Sequence, residues 1–258
     1  MDKKKIILLI LLILLYTYYP RFHVFNHSRI NTKYDYKNYP KVNFLEFPLY
    51  YLIKPLMIEI KEGDILFIPR RWWHWVFSSE GENIAINQWF PNMSKKKKPY
   101  KKRNPNFNST IWKTEDLKKY INGYGTVIVS TNQNMYSFKR PGMPYKYSKM
   151  NVFNRITFSD YITNTNINKK YSGFFLDDKS SFSPEIKKQF FNQKILSHEN
   201  CMCNIWYYSN GSNSGLHYDD YDNYLCQMKG TKKIYLFPPK YNKYLYGDKV
   251  LLSTLNLA

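Results

Sequence analysis

The tripeptide His217-Tyr218-Asp219, with Lys232 fifteen residues further on, asks for extended backbone if its parts are to act together. In a strand, residues i and i+2 project from the same face, so His217 and Asp219 can grip one metal ion between them. A neutral imidazole and a carboxylate form two corners of the facial triad that holds non-heme Fe(II) and leaves positions open for oxygen and a co-substrate. The third ligand should be another histidine, and the best candidate lies upstream at His74. Lys232, if buried on a neighbouring strand, can pair with a dicarboxylate bound to that metal.

The composition favours such a β scaffold. Aromatic residues make up 19% of the 258-residue chain, led by 25 tyrosines and 17 phenylalanines, which suit strands. With 43% hydrophobic residues the chain can bury a substantial core, which argues against global disorder. A net charge of +20 suits an acidic partner such as nucleic acid or an anionic membrane surface. Much of that charge, however, sits on scattered lysines and one lysine run, so it reads as solvated surface, and nucleic acid is not the expected partner. Cys201, Cys203 and Cys226 make no disulfide framework. Cys201 and Cys203 lack a second Cys or His pair for zinc and read as buried thiols.

The N-terminus carries a membrane signal. Lys3, Lys4 and Lys5 precede the apolar run Ile6 to Leu15, which ends in Tyr-Thr-Tyr-Tyr-Pro without a small-residue cleavage site. An uncleaved, single-pass signal anchor over residues 1–20 is the preferred reading, with a cleaved signal as its alternative. The leading lysines favour a cytoplasmic N-terminus and a lumenal or extracytoplasmic catalytic domain. Sequons at Asn26, Asn92, Asn108 and Asn210 fit that side.

Residues 21–38 read as a polar stalk and 39–92 as a β half-domain. Its expected strands are Met57 to Ile60, Ile65 to Ile68, Trp72 to Phe77 and Asn83 to Trp89, with a turn at Lys61-Glu62-Gly63-Asp64. A basic linker is expected over 93–108, centred on the proline-broken run from Ser94 to Pro105. A second half-domain spans 109–250. Helices are expected over Thr114 to Tyr120, Thr157 to Ile162 and 184–193. Strands are expected over Thr126 to Ser130, Cys201 to Tyr208, Leu216 to Asp219, Tyr224 to Lys229 and Lys233 to Phe237.

Two stretches together resemble one family. Ser214 to Pro239, containing His217-x-Asp219, Lys232 and the ending Leu-Phe-Pro-Pro, is similar to the JmjC cupin-like hydroxylases, relatives of the asparaginyl hydroxylase that inhibits hypoxia-inducible factor. Gly63-Asp-Ile-Leu-Phe-Ile-Pro-Arg-Arg-Trp-Trp-His74, with Asn87-Gln-Trp89 behind it, is similar to the later half of the same domain. The resemblance implies a mainly β chain, a double-stranded β-helix of the cupin or jelly-roll type with a few flanking helices. It implies that His217, Asp219 and His74 hold Fe(II). Lys232, Ser214 and Tyr136 would bind the distal carboxylate of 2-oxoglutarate, and Asn223 and Asn87 would line the co-substrate pocket. The implied activity is 2-oxoglutarate-dependent hydroxylation, with a protein or peptide as substrate.

In the family the His-x-Asp half comes first; here it comes second. The order reads as a circular permutation, which exposed loops and neighbouring termini permit. Two chains exchanging halves in a homodimer is the competing arrangement. A cupin-like module that binds a partner at a membrane without catalysis is the alternative function.

Overall fold

Each tight corner that links a pair of neighbouring strands around the site carries the chain from one sheet to another. The computed structural model describes residues 48–91, 97–130, 150–164, 172–176, 179–192, 194, 199–212, 214 and 216–245. In chain order the strands are β1 (Leu56–Lys61), β2 (Asp64–Ile68), β3 (Trp73–Ser78), β4 (Asn83–Phe90), β5 (Tyr100–Arg103), β6 (Tyr124–Ser130), β7 (Met150–Thr157), β8 (Ser172–Leu176), β9 (Met202–Tyr208), β10 (Asp222–Lys229) and β11 (Thr231–Phe237). They form a small sheet, β1-β11-β3, and a large one, β5-β2-β10-β4-β9-β8-β6-β7, with antiparallel pairing throughout. Short helices α1 (Thr114–Tyr120), α2 (Phe158–Thr163) and α3 (Pro184–Gln189) lie among the described residues.

Two of the corners need glycine. Between β1 and β2, Gly63 has φ +80°, and a Cβ there would stand 2.7 Å from the side chains of Arg103 and Phe107. Between β10 and β11, Gly230 has φ +75°, and its Cβ would meet the Glu82 carbonyl oxygen at 2.6 Å.

Side-chain alternation then sorts residues by face. Ile58, Ile60, Ile234 and Leu236 of the small sheet share one buried cluster with Leu66, Ile68, Ala85 and Leu225 of the large sheet, so these faces pack on each other. The opposite face of the large sheet, with Ile84, Ile86, Tyr224 and Cys226, is covered by Trp112, Leu117, Ile186 and Phe190 from the helical segments. Tyr50, Ile53 and Leu245 cover Trp73, Trp75, Tyr235 and Phe237 on the outside of the small sheet. Cys201, Cys203 and Cys226 are buried and unlinked, as thiols packed in a core should be, and burial pushes the Cys226 thiol up to about 12.

The two sequence halves interleave. β10 lies between β2 and β4, and β11 between β1 and β3, so the four strands of the first half do not pair with one another. Neither half can satisfy its backbone hydrogen bonds alone. Glu82 bonds the halves at their rim. It accepts from the Tyr207 hydroxyl at 2.6 Å and the Thr114 hydroxyl at 2.7 Å, and pairs with Lys229. Burial works to raise its carboxyl pKa, but the bonds from Lys229, Tyr207 and Thr114 outweigh this and hold it below the usual value. The stability it adds is therefore present at neutral pH and lost as pH falls through that lowered value. Glu82→Gln is expected to destabilise the fold by about 1–3 kcal/mol, read as an earlier urea midpoint at pH 7 whose difference from wild type shrinks in acid.

Three local expectations change. The lysine run was read as a solvated connector, yet Tyr100–Arg103 form β5 on the edge of the large sheet. An edge strand tolerates this charge because its lysines stay in water, and Lys101 and Arg103 also reach Asp64 at 3.3 and 3.6 Å. Leu216 to Asp219 make only a single antiparallel bridge, His217 to His74, rather than a strand. The first helix spans Thr114–Tyr120 as expected, with Lys113 at the cap position and the Thr114 hydroxyl bonded to Glu82. The third helix stops at Gln189. Among the described residues no helix is long and apolar enough to cross a membrane. The expected anchor and stalk, Asn26, Asn92 and Tyr136 lie outside the described residues.

Candidate metal centre

His74 reaches the interior because the turn ahead of β3 is tied down from the second half. Arg71 adopts a left-handed φ of +62°, uncommon for a residue with a side chain. Its N–H donates to the Asp219 carbonyl at 2.7 Å, its Nε contacts the Asp220 carboxylate at 3.0 Å, and the Arg70 N–H donates to Asp222 Oδ1 at 2.9 Å. Three residues later, His74 and His217 exchange backbone bonds of 2.7 and 3.1 Å. That bridge sets the two imidazoles side by side, ring centroids 4.1 Å apart.

His74, His217 and Asp219 each offer one ligand atom, and all three atoms lie within 4.8 Å of one another. His74 is buried, whereas His217 and Asp219 are partly exposed, so the cluster opens to solvent on their side. The His74 Nδ1 lies 3.0 Å from the Trp72 carbonyl oxygen. A carbonyl only accepts, so Nδ1 donates to it and Nε2 is the ring nitrogen turned to the interior. Nε2 stands 3.6 Å from Asp219 Oδ2. Bonds of ~2.0–2.2 Å from an imidazole nitrogen and a carboxylate oxygen to a first-row metal would span that gap. The donor set and geometry fit a metal ion with open positions.

Deeper in, Lys232 on β11 pairs in register with Ser78 on β3, and its Nζ contacts Ser78 Oγ. The Ser212 hydroxyl donates to the same Ser78 oxygen at 3.1 Å, and the ammonium lies 5.0 Å from the centre of the Tyr208 ring. Lys232 is only 3% exposed, and burial drags its pKa from 10.5 down to about 7. Among the described residues no carboxylate stands within ion-pairing distance of it. A buried cationic group without an anion is what a bound dicarboxylate would complete.

Other expected pocket residues divide. Asn87 and Asn223 are buried and bonded to each other, Nδ2 to Oδ1 at 3.0 Å. Ser214 lies beside β3, but its Oγ accepts the Val76 N–H at 3.1 Å, and the serine on the ammonium is Ser78. Sequence reasoning gave no role to Ser78, Ser212 or Tyr208, which become neighbours of Lys232 only through strand pairing. Asn204 on β9, in register with Asn87 on β4, was also missed, and among the described residues its buried Oδ1 has no partner.

A family model described as a cupin-like domain matches residues 14–96 and 101–254. A JmjC domain-containing protein of Acanthamoeba polyphaga mimivirus is 30% identical over 258 residues, covering 88% of this chain and 42% of that protein. JmjC domain-containing protein C of Dictyostelium discoideum is 39% identical over 51 residues, 20% of this chain and 12% of its own length. HSPB1-associated protein 1 of Rattus norvegicus is 37% identical over 43 residues, 17% of this chain and 9% of its own. The chain thus spans less than half the length of each of these relatives, and no solved structure matches it. The family match over most of the chain, on two packed antiparallel sheets with an interior His-His-Asp cluster, means that this chain belongs to the cupin-like (JmjC) domain family.

Proposed function

We propose that the chain is an Fe(II)- and 2-oxoglutarate-dependent oxygenase that hydroxylates a protein side chain. JmjC domains typically bind this metal and co-substrate. The observation that carries the reading is the pairing of two features in one interior: a His-His-Asp cluster open on one side, and a desolvated lysine with no carboxylate partner among the described residues. When bound, Fe(II) would supply the coupled chemistry in which 2-oxoglutarate and O2 give succinate and CO2 and a substrate C–H bond gains oxygen.

This chain's own residues do the holding and shielding. His74 Nε2, an imidazole nitrogen of His217 and a carboxylate oxygen of Asp219 would take three positions on the metal. Lys232, with Ser78 beside it, would hold the distal carboxylate, and Tyr136 and Ser214 remain candidates for the same role. Asn87 and Asn223 would offer amide groups to the metal-proximal end. Leu225, Ile234 and Leu236, buried in the cluster between the sheets, would help to keep water out. We further propose that the halves stand in permuted order relative to the family and that residues 1–20 anchor the domain to a membrane.

Anaerobic addition of Fe(II) and 2-oxoglutarate is expected to produce a weak visible charge-transfer band, and admitting O2 should release succinate. A folded protein that gives no band and no succinate points instead to the non-catalytic binding module.

A further inference from the structure

Trp89 sits on β4 in register with Asn223 of β10 and Met202 of β9, at the end of the sheet nearest the His-His-Asp cluster. Its Nε1–H donates to Asp219 Oδ2 at 3.1 Å, the same oxygen that stands 3.6 Å from His74 Nε2. An indole N–H can only donate, so Oδ2 is the acceptor in this contact. We propose that Trp89 is a positioning residue that fixes Asp219 as a one-oxygen metal ligand, an inference that rests on the metal-site reading above.

A carboxylate free to rotate can place both oxygens on a metal and occupy two positions. Three protein ligands on a six-coordinate ion leave three positions, and a chelating keto acid with O2 needs all of them. The indole bond holds the carboxylate against the rotation that would bring its second oxygen onto the metal. The residue comes from the first sequence half and the carboxylate from the second, so the contact also makes a competent ligand set conditional on correct closure of the sheets. Hydrogen bonds to ligands of this kind commonly tune metal affinity.

The test uses Co(II) as the probe ion on the full chain, with the cobalt absorption spectrum and dissociation constant as readouts. Trp89→Phe keeps the ring and removes the N–H. It is expected to weaken Co(II) binding by about 10- to 100-fold, shift the cobalt bands, and leave the melting temperature of the metal-free protein close to wild type. Trp89→Gln and Trp89→Leu, similar in volume but differing in the N–H donor, repeat the comparison if the phenylalanine variant does not fold; the glutamine form should bind more tightly. Wild-type affinity and spectrum in Trp89→Phe, or equal binding by the glutamine and leucine forms, overturns the proposal while leaving the metal site standing. Failure of the wild-type protein to bind Co(II) overturns both.

Discussion

Asp219→Ala is expected to abolish succinate production and weaken Fe(II) binding by more than about 100-fold, beyond the range typical of losing a group that merely supports a ligand. The side chain is the only carboxylate in the described metal cluster, and without it two neutral imidazoles face a divalent cation. The fold should survive. Asp219 is partly exposed, and the bond it gives the Arg71 turn comes from its backbone carbonyl, which alanine retains. Loss of turnover with an unchanged circular dichroism spectrum and melting curve is the expected pair of results. Iron binding at wild-type strength in the variant would remove Asp219 from the ligand set.

Lys232→Met should separate stability from function. The methylene stem is preserved, and an ammonium that burial already penalises is removed. We expect the metal-free protein to gain about 1–3 kcal/mol of stability, while binding of 2-oxoglutarate to the iron-loaded form weakens by about 2–5 kcal/mol. The pH dependence carries a sign. Folding lowers the lysine pKa from 10.5 to about 7, so between those values the unfolded chain holds more protons than the folded one. Wild-type stability therefore rises with pH across that window through this group, and the penalty is fully present below about 7. The methionine variant lacks this component. Co-substrate binding above pH 7 should take up a proton as the ammonium re-forms against the carboxylate, measurable by calorimetry in buffers of different ionisation enthalpy. A variant that binds 2-oxoglutarate as tightly as wild type would assign the buried lysine another role.

Much of the β pattern was legible from residue order. Apolar-rich runs bounded by turn residues at Ile65 to Ile68, Asn83 to Trp89 and Tyr224 to Lys229 marked strands that the structure extends by a few residues at most. Met150–Thr157 and Ser172–Leu176 were missed. The first is interrupted by Asn151, Asn154 and Arg155, and the second is short and contains Gly173, so neither has a pattern that outweighs its polar or flexible residues. Both are strands because β6 lies between them and supplies hydrogen bonds on each side. The reverse error fell at Leu216 to Asp219, where an alternating run pairs at one residue only.

Residue identity and spacing by themselves established the kinds of ligand available, the i, i+2 relation of His217 and Asp219, and the presence of one lysine at a matching interval. They also carried the alternation that tells each strand which face to bury. Which strands would become neighbours was decided only by folding. His74 meets His217 through one bridge, Lys232 meets Ser78 across the small sheet, and Trp89 meets Asp219 across the mouth. The reason is physical: a strand's own sequence encodes its conformation and its buried face, but its unpaired N–H and C=O groups accept any compatible partner. The choice among partners is made collectively, by the one arrangement that buries all the apolar faces together.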